Sequence, residues 1–139
     1  MDASTPELEE LCANWWDWHR RSRGDRAERK ALEQGEPEAA WAAYWLVKEH
    51  TSNNTSGVVD LLVALNDAAP ADDDGMTVGV GELEDLLTAH GDAVIEDVER
   101  CARQNPKFAR AVSHPYVSGV SKPTEARLLR WRNGPAADK

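Results

Sequence analysis

At 139 residues, with 41% hydrophobic and 29% charged side chains and a net charge of −9, the chain has the size and composition of one soluble globular domain. That length can bury about 68% of the unfolded surface without a structural metal or disulfides. No apolar run reaches the ~20 residues of a membrane span, and the polar, acidic start Met1-Asp-Ala-Ser-Thr-Pro-Glu7 is unlike a signal peptide, so the expected compartment is the cytoplasm, with no membrane partner.

Helix signals follow one another along the chain. A first helix is expected from Ser4 or Thr5, with Pro6 in its first turn and Glu7, Glu9 and Glu10 favouring the positive end of its dipole. Its stripe is Leu8, Leu11, Cys12, Trp15 and His19, with Trp18 alongside; Arg20, Arg21 and Arg23 complement the other end before Gly24. Asp25-x-x-Glu28 has the spacing of a reciprocal N-terminal cap for a short polar helix to Glu33. A third helix starts near Pro37, sets Trp41, Tyr44, Trp45 and Lys48 on one face, and stops at the polar run Thr51 to Ser56. Ser56 is the expected cap of a fourth, whose stripe is Val58, Leu61, Leu62 and Leu65.

The stretch Ala68 to Gly75, with Pro70 and Asp72-Asp73-Asp74, reads as a mobile acidic loop, near 68–78, that buries nothing; Met76 to Val80 reads as a short extended piece. Beyond it Leu83, Leu86, Leu87 and His90 fall at i, i+3, i+4 and i+7. Gly91 then suits a left-handed closure and Asp92 a new cap, which predicts a hairpin of two helices, 82–90 and 93–104, the second burying Val94, Ile95, Val98, Cys101 and Ala102. Asn105-Pro106 breaks the chain before Phe108 to Val112. A last helix from Pro123 to Arg132 presents Leu128, Leu129 and Trp131, and 133–139 is expected to fray. Strand-like alternation and internal repeats are absent. The expected fold is therefore all-α: a single-domain bundle of five to seven helices with crossed packing over residues 1–139.

Two motifs, Gly81-x-Leu-Glu-Asp-Leu-Leu-x-x-His-Gly91 and Asn105-Pro-Lys-Phe-Ala-Arg-Ala-Val112, together with the helix start Pro37-Glu38-x-x-Trp41, resemble a small bacterial domain family of unknown function. The resemblance runs from about Glu36 to Val112; Asp72 to Asp74 and the tail after Ser113 fit it less well. It implies a compact helical domain. It carries over no catalytic residue, cofactor or substrate.

Chemistry-bearing patterns point to no reaction. The spacings His-x-x-x-His and Glu-x-x-His do not occur among His19, His50, His90 and His114, so no metal is called for. Asp72 to Asp74 lack the alternating ligands and terminal glutamate of a calcium loop. Gly79-Val-Gly-Glu82 lacks the third glycine of a nucleotide-binding turn, and no Gly-x-Ser-x-Gly elbow is present. His90 lies about 80° from Glu82 and about 140° from Asp85 on the helical wheel, so neither orients its ring, and its expected task is to satisfy last-turn carbonyls. Cys12 and Cys101 sit on apolar stripes and read as buried, reduced thiols. No cofactor is expected.

Charge and tryptophan are the remaining signals. Residues 60 to 100 hold twelve acids against one base, flanked by segments of net −4 and +6. Such a block repels phosphate backbones, so direct nucleic-acid binding is not expected; the basic groups Arg20-Arg21-Ser-Arg23 and Arg127, Arg130, Arg132 are expected to pair with the acids or with solvent. Six of the nine aromatic residues are Trp, five of them between Trp15 and Trp45. Trp15, Trp18, Trp41 and Trp45 can be core, whereas Trp16 lies about 100° from Trp15 beside Asp17 and Arg20, in the position of an interface anchor or an edge-of-core ring.

Two classes of function are compatible with this pattern. One is a non-enzymatic protein-binding module, an acidic immunity-type or antitoxin-type inhibitor of a basic partner, monomeric or homodimeric, with Trp16, Trp41, Tyr44, Trp45, Arg20 and Asp85 as candidate contact residues. The alternative is a small enzyme or ligand-binding protein. Its pocket would lie between the Trp helices and the connection from Ser113, with His19, His50, His114 or Tyr116 available.

Overall fold

The computed structural model describes residues 6–133, and every regular element among them is helical. In chain order these are α1 (Pro6–Ser22), α2 (Arg26–Glu33), α3 (Glu38–Asn53) and α4 (Val58–Asp67), then α5 (Met76–Val78), a π-helical turn (Gly79–Leu83) and α6 (Glu84–Gln104), and finally α7 (Pro106–Val112) and α8 (Lys122–Arg132). Because α5, the π turn and α6 follow one another with no residue between them, the described residues form seven helical bodies. The expected caps at Ser4 or Thr5, and the tail after Asn133, lie outside the described residues.

One core holds the helices together. α1 buries Leu8, Leu11, Cys12 and Trp15, and α6 buries Val94, Ile95, Val98, Cys101 and Ala102, both as their periodicity requires. Leu62, Leu65, Leu86, Leu87 and Phe108 fill the space between. Each such side chain contributes roughly 1.5 to 3 kcal/mol on leaving water. Cys12 and Cys101 are both free and buried. α1 packs on α3 and α4, α4 on α6 and α7, and α8 on α6 and α7.

The expected break falls where the sequence placed it: α6 is two helical arms that meet at a kink at His90, without the left-handed closure expected of Gly91. Only His90 leaves helical geometry, at φ −137° and ψ 19°. Gly91 instead lies close to the chain before α8: a β-carbon there would stand 2.7 Å from the Val120 Cγ1 methyl. Asp92 does not cap the second arm. Its carboxylate accepts from the Ser121 N–H (3.2 Å) and Oγ–H (2.8 Å), and so anchors the start of α8. The His90 ring does satisfy a carbonyl, but that of Ser52 at the end of α3 (Nε2 to O 2.9 Å), not one of its own helix.

The segment before the kink departs further from expectation. Met76–Val80 is helical, not extended, and Ala69, Gly75, Thr77 and Val78 are buried. Asp73 accepts from the Thr77 Oγ–H (2.6 Å) and N–H (3.2 Å); Arg110 pairs with Asp74 at 2.6 Å. Gly75 has φ +76°, and a β-carbon there would stand 2.5 Å from the Ala111 nitrogen, so the backbones of α5 and α7 meet directly. Local turn chemistry differs too. Gly57, in the left-handed region, precedes α4 where Ser56 was expected to cap it, and Glu28 turns to Arg20 (3.1 Å) although Asp25 does cap α2 (2.9 Å).

Candidate functional site

The π turn widens one helical turn and directs Glu82 inward. Buried there, Glu82 accepts from Thr51 Oγ–H at 2.9 Å and pairs with Lys48 at 3.0 Å; Lys48 also reaches Asp85 at 2.7 Å. Burial alone would lower the Lys48 pKa, but the hydrogen bonds to Asp85 and Glu82 outweigh it and raise it. The ammonium stands 5.7 Å from the Tyr44 ring centre. This is a charge-locked joint between α3 and the π turn, in which the lysine stays protonated and offers no base.

A second buried carboxylate, Glu99, accepts from Arg127 Nε–H (2.6 Å) and from the Trp131 indole N–H (2.9 Å). Burial works to raise its pKa, yet these hydrogen bonds and the guanidinium charge prevail and hold it below the usual range. α8 is thereby fastened to α6.

The aromatic residues form a chain of ring contacts across α1 and α3. Trp16 meets Trp15 edge-on (centroids 5.0 Å apart), Trp15 meets His19 (4.2 Å), and Trp18 stacks flat on Tyr44 (3.7 Å, 8° between planes). Tyr44 touches Trp45 (5.4 Å), which touches Trp41 (5.6 Å). The buried face of α3 is Ala40, Ala43, Val47 and Thr51, not its tryptophans: Trp45 is 51% exposed and Trp41 half-buried. Small residues let α3 approach α1 closely and push its indoles outward.

Trp16 goes the opposite way. It is half-buried at the edge of the core, and its indole N–H donates to the Leu65 carbonyl at 2.8 Å. Two grooves meet at Trp16 and Ala13. The larger, about 840 Å³, lies between α1 and residues 70–80, with Met76 and Val80 as its apolar wall and Arg20, Arg23, Asp72 and Asp73 beside them. The smaller, about 440 Å³, continues along α1 between Leu8, Cys12, Ala64 and Ala68, with Glu9 and Asp67 at its margin.

His19 also lines the larger groove, and its Nε2 has no hydrogen-bond partner among the described residues. Burial, followed by the charges of Arg23 and Lys48, lowers its pKa to about 4 despite Asp73, so the ring is neutral near pH 7.

Of the candidate contact residues, Trp16 and Arg20 belong to this trough, whereas Trp41, Tyr44, Trp45 and, through Lys48, Asp85 belong to the outer side of α3. The residues of the alternative pocket are dispersed. His50 bonds Thr55 (2.6 Å), His114 bonds the Asp74 carbonyl (2.8 Å), and Tyr116 lies beneath Arg132 in a separate recess of about 130 Å³. Arg20 and Arg21 pair with Asp17, at 3.1 and 2.9 Å, and not with the 60–100 block. Met76, Val80 and Ala13 were not singled out from the sequence. Nothing local marks them, because the trough exists only once α5 lies beside α1.

No group of His, Cys, Asp and Glu among the described residues is placed to hold a metal ion, and no described helix is long and apolar enough to cross a membrane. Fold and surface together define a small all-helical domain with internally paired buried acids and an open groove along its first helix. The chain belongs to the family of unknown function DUF6869, which it matches over residues 28–134. That match reaches beyond the motifs at both ends, taking in Asp72 to Asp74 and α8, while α1 precedes it. Neither a curated protein nor a solved structure matches the chain.

Proposed function

We propose that this domain is a non-enzymatic protein-binding module acting in the bacterial cytoplasm, an acidic inhibitor of immunity or antitoxin type whose partner is basic. The observation that carries the reading is the disposition of the acidic block. Of the twelve acids between residues 60 and 100, Glu82 and Glu99 alone are buried; the rest reach solvent. Self-repulsion among them is relieved by a cationic surface, which also accelerates encounter.

The test is capture of the partner from the native bacterium, followed by binding kinetics across salt. The association rate should fall steeply between about 0.1 M and 1 M salt, as the Debye length shrinks from about 10 Å to about 3 Å, with the dissociation rate nearly constant. A captured partner of acidic surface, or an association rate indifferent to salt, overturns the reading. A small-molecule site is the competing reading, favoured by the unpartnered His19 Nε2 in the larger groove. Turnover or saturable binding of a metabolite there, with no macromolecular partner, would establish it.

A further inference from the structure

We infer that the trough along α1 seats a basic amphipathic helix of the partner, its apolar side chains against Ala13, Trp16, Met76 and Val80 and its cations toward Glu9, Asp67 and Asp72. The inference rests on the protein-binding reading and names the site and the chemistry of what fills it.

Three observations argue for this occupant. The two grooves share Ala13 and Trp16 and so form one trough, with lining residues on α1 from Leu8 to Arg20, roughly 18 Å of helix at 1.5 Å per residue. A cleft walled by α1 on one side and by α4 and α5 on the other accepts a third helix; an extended segment would find no strand edge to pair with among the described residues. The floor is apolar: Met76 and Val80 are 50% and 47% exposed, and because the Trp16 N–H is spent on Leu65, that indole offers only its ring. A ring so presented favours hydrocarbon or a cation over its face.

Charge sets the sign of the partner. Glu9 and Asp72 carry no ion pair among the described residues, and the Asp67 carboxylate accepts from the neutral Asn105 amide at 3.0 Å, while the Lys107 ammonium bonds the backbone carbonyl of Asp67 at 3.0 Å. Opposing them, Arg20 is already engaged by Asp17 and Glu28, which leaves Arg23, bonded to Thr77 Oγ at 3.1 Å, as the cation at the far end. An incoming lysine or arginine therefore finds carboxylates that it need not take from another base. An acidic helix meets repulsion over most of the trough.

The probe is a synthetic helical peptide of about 15 residues with leucines on one face and lysines elsewhere, compared with the same leucine pattern on glutamates. Binding to the full chain is followed by the ¹⁵N indole resonances, with Trp16 assigned through Trp16→Phe. The lysine peptide should shift the Trp16 indole and the amides of Ala13, Met76 and Val80. Ala13→Arg, at an exposed helix position, should weaken it about tenfold or more, whereas Leu46→Arg on the outer side of α3 should not.

Equal binding of the glutamate peptide, or indifference to Ala13→Arg, overturns the assignment. Shifts at Trp41 and Trp45 that vanish in Leu46→Arg also overturn it, while leaving the protein-binding reading intact with α3 as the docking face. No response to the lysine peptide in a protein that still captures a basic partner likewise removes the trough and not the function.

Discussion

The indole N–H of Trp16 donates to the carbonyl of Leu65 at 2.8 Å, joining the middle of α1 to the end of α4 across 49 residues of chain. One hydrogen bond thus fixes both the wall of the trough and the orientation of the ring that lines it. Trp16→Phe keeps the ring contacts and strands that carbonyl, and should destabilise by about 1 kcal/mol in urea unfolding. Trp16→Ala removes the ring as well and should lose about 2 to 3 kcal/mol. Equal losses in the two variants would show that the bond contributes nothing.

His19 gives the domain a predictable acid sensitivity above the carboxylate range. Its folded pKa is lowered to about 4 from 6.5, so the unfolded chain takes up the proton first as pH falls. Stability is undiminished by this group above pH 6.5 and declines from there until the folded ring itself protonates near pH 4. Between pH 7 and pH 5 the loss should be about 2 kcal/mol by urea titration. His19→Phe, which keeps an aromatic ring against Trp15 and Trp18, should remove most of that slope.

At Glu99 the carboxylate accepts from two different side chains of α8, so a neutral amide cannot replace it: its N–H₂ would face either the Arg127 guanidinium or the Trp131 indole. Glu99→Gln should therefore destabilise by roughly 2 to 3 kcal/mol at pH 7. Because the folded pKa lies below the ordinary value of 4.5, the stabilisation is present above that value and lost as pH falls through the folded one. The variant's stability should accordingly fall less on acidification below pH 4.5 than that of the parent, which thermal melts at pH 7 and pH 3.5 will compare.

Two glycines a few residues apart should respond in opposite directions. Gly75→Ala places a methyl 2.5 Å from the α7 backbone at a φ of +76°, and should cost about 3 kcal/mol or prevent folding. Gly81→Ala meets nothing within 4 Å at a helical position without positive φ, and should stabilise by about 0.5 to 1 kcal/mol. Chemical denaturation of both, side by side, checks the close approach of α5 to α7.

Helical class and the buried stripes of α1 and of the second arm of α6 were legible in the sequence because periodicity is local. Leu8, Leu11, Cys12 and Trp15, or Val94, Ile95 and Val98, share a face whatever surrounds them. The same reasoning failed at the tryptophans of α3. There Ala40, Ala43 and Val47 offered a second face, and which face turned inward depended on α1, whose own tryptophans needed a neighbour of small residues.

By itself, then, the chain determined an all-helical domain, the places where most helices begin and end, and an excess of acid in its middle. Only the tertiary structure decided that Glu82 and Glu99 leave that acidic surface for buried pairs with Lys48 and Arg127, that the ring of His90 at the kink reaches the Ser52 carbonyl of α3, and that α5 lies beside α1 to open the trough at Trp16. Each of those outcomes joins groups 28 or more residues apart or hangs on a close backbone approach. Local propensity cannot encode them, because their free energy arises from desolvation and contact after the helices have met.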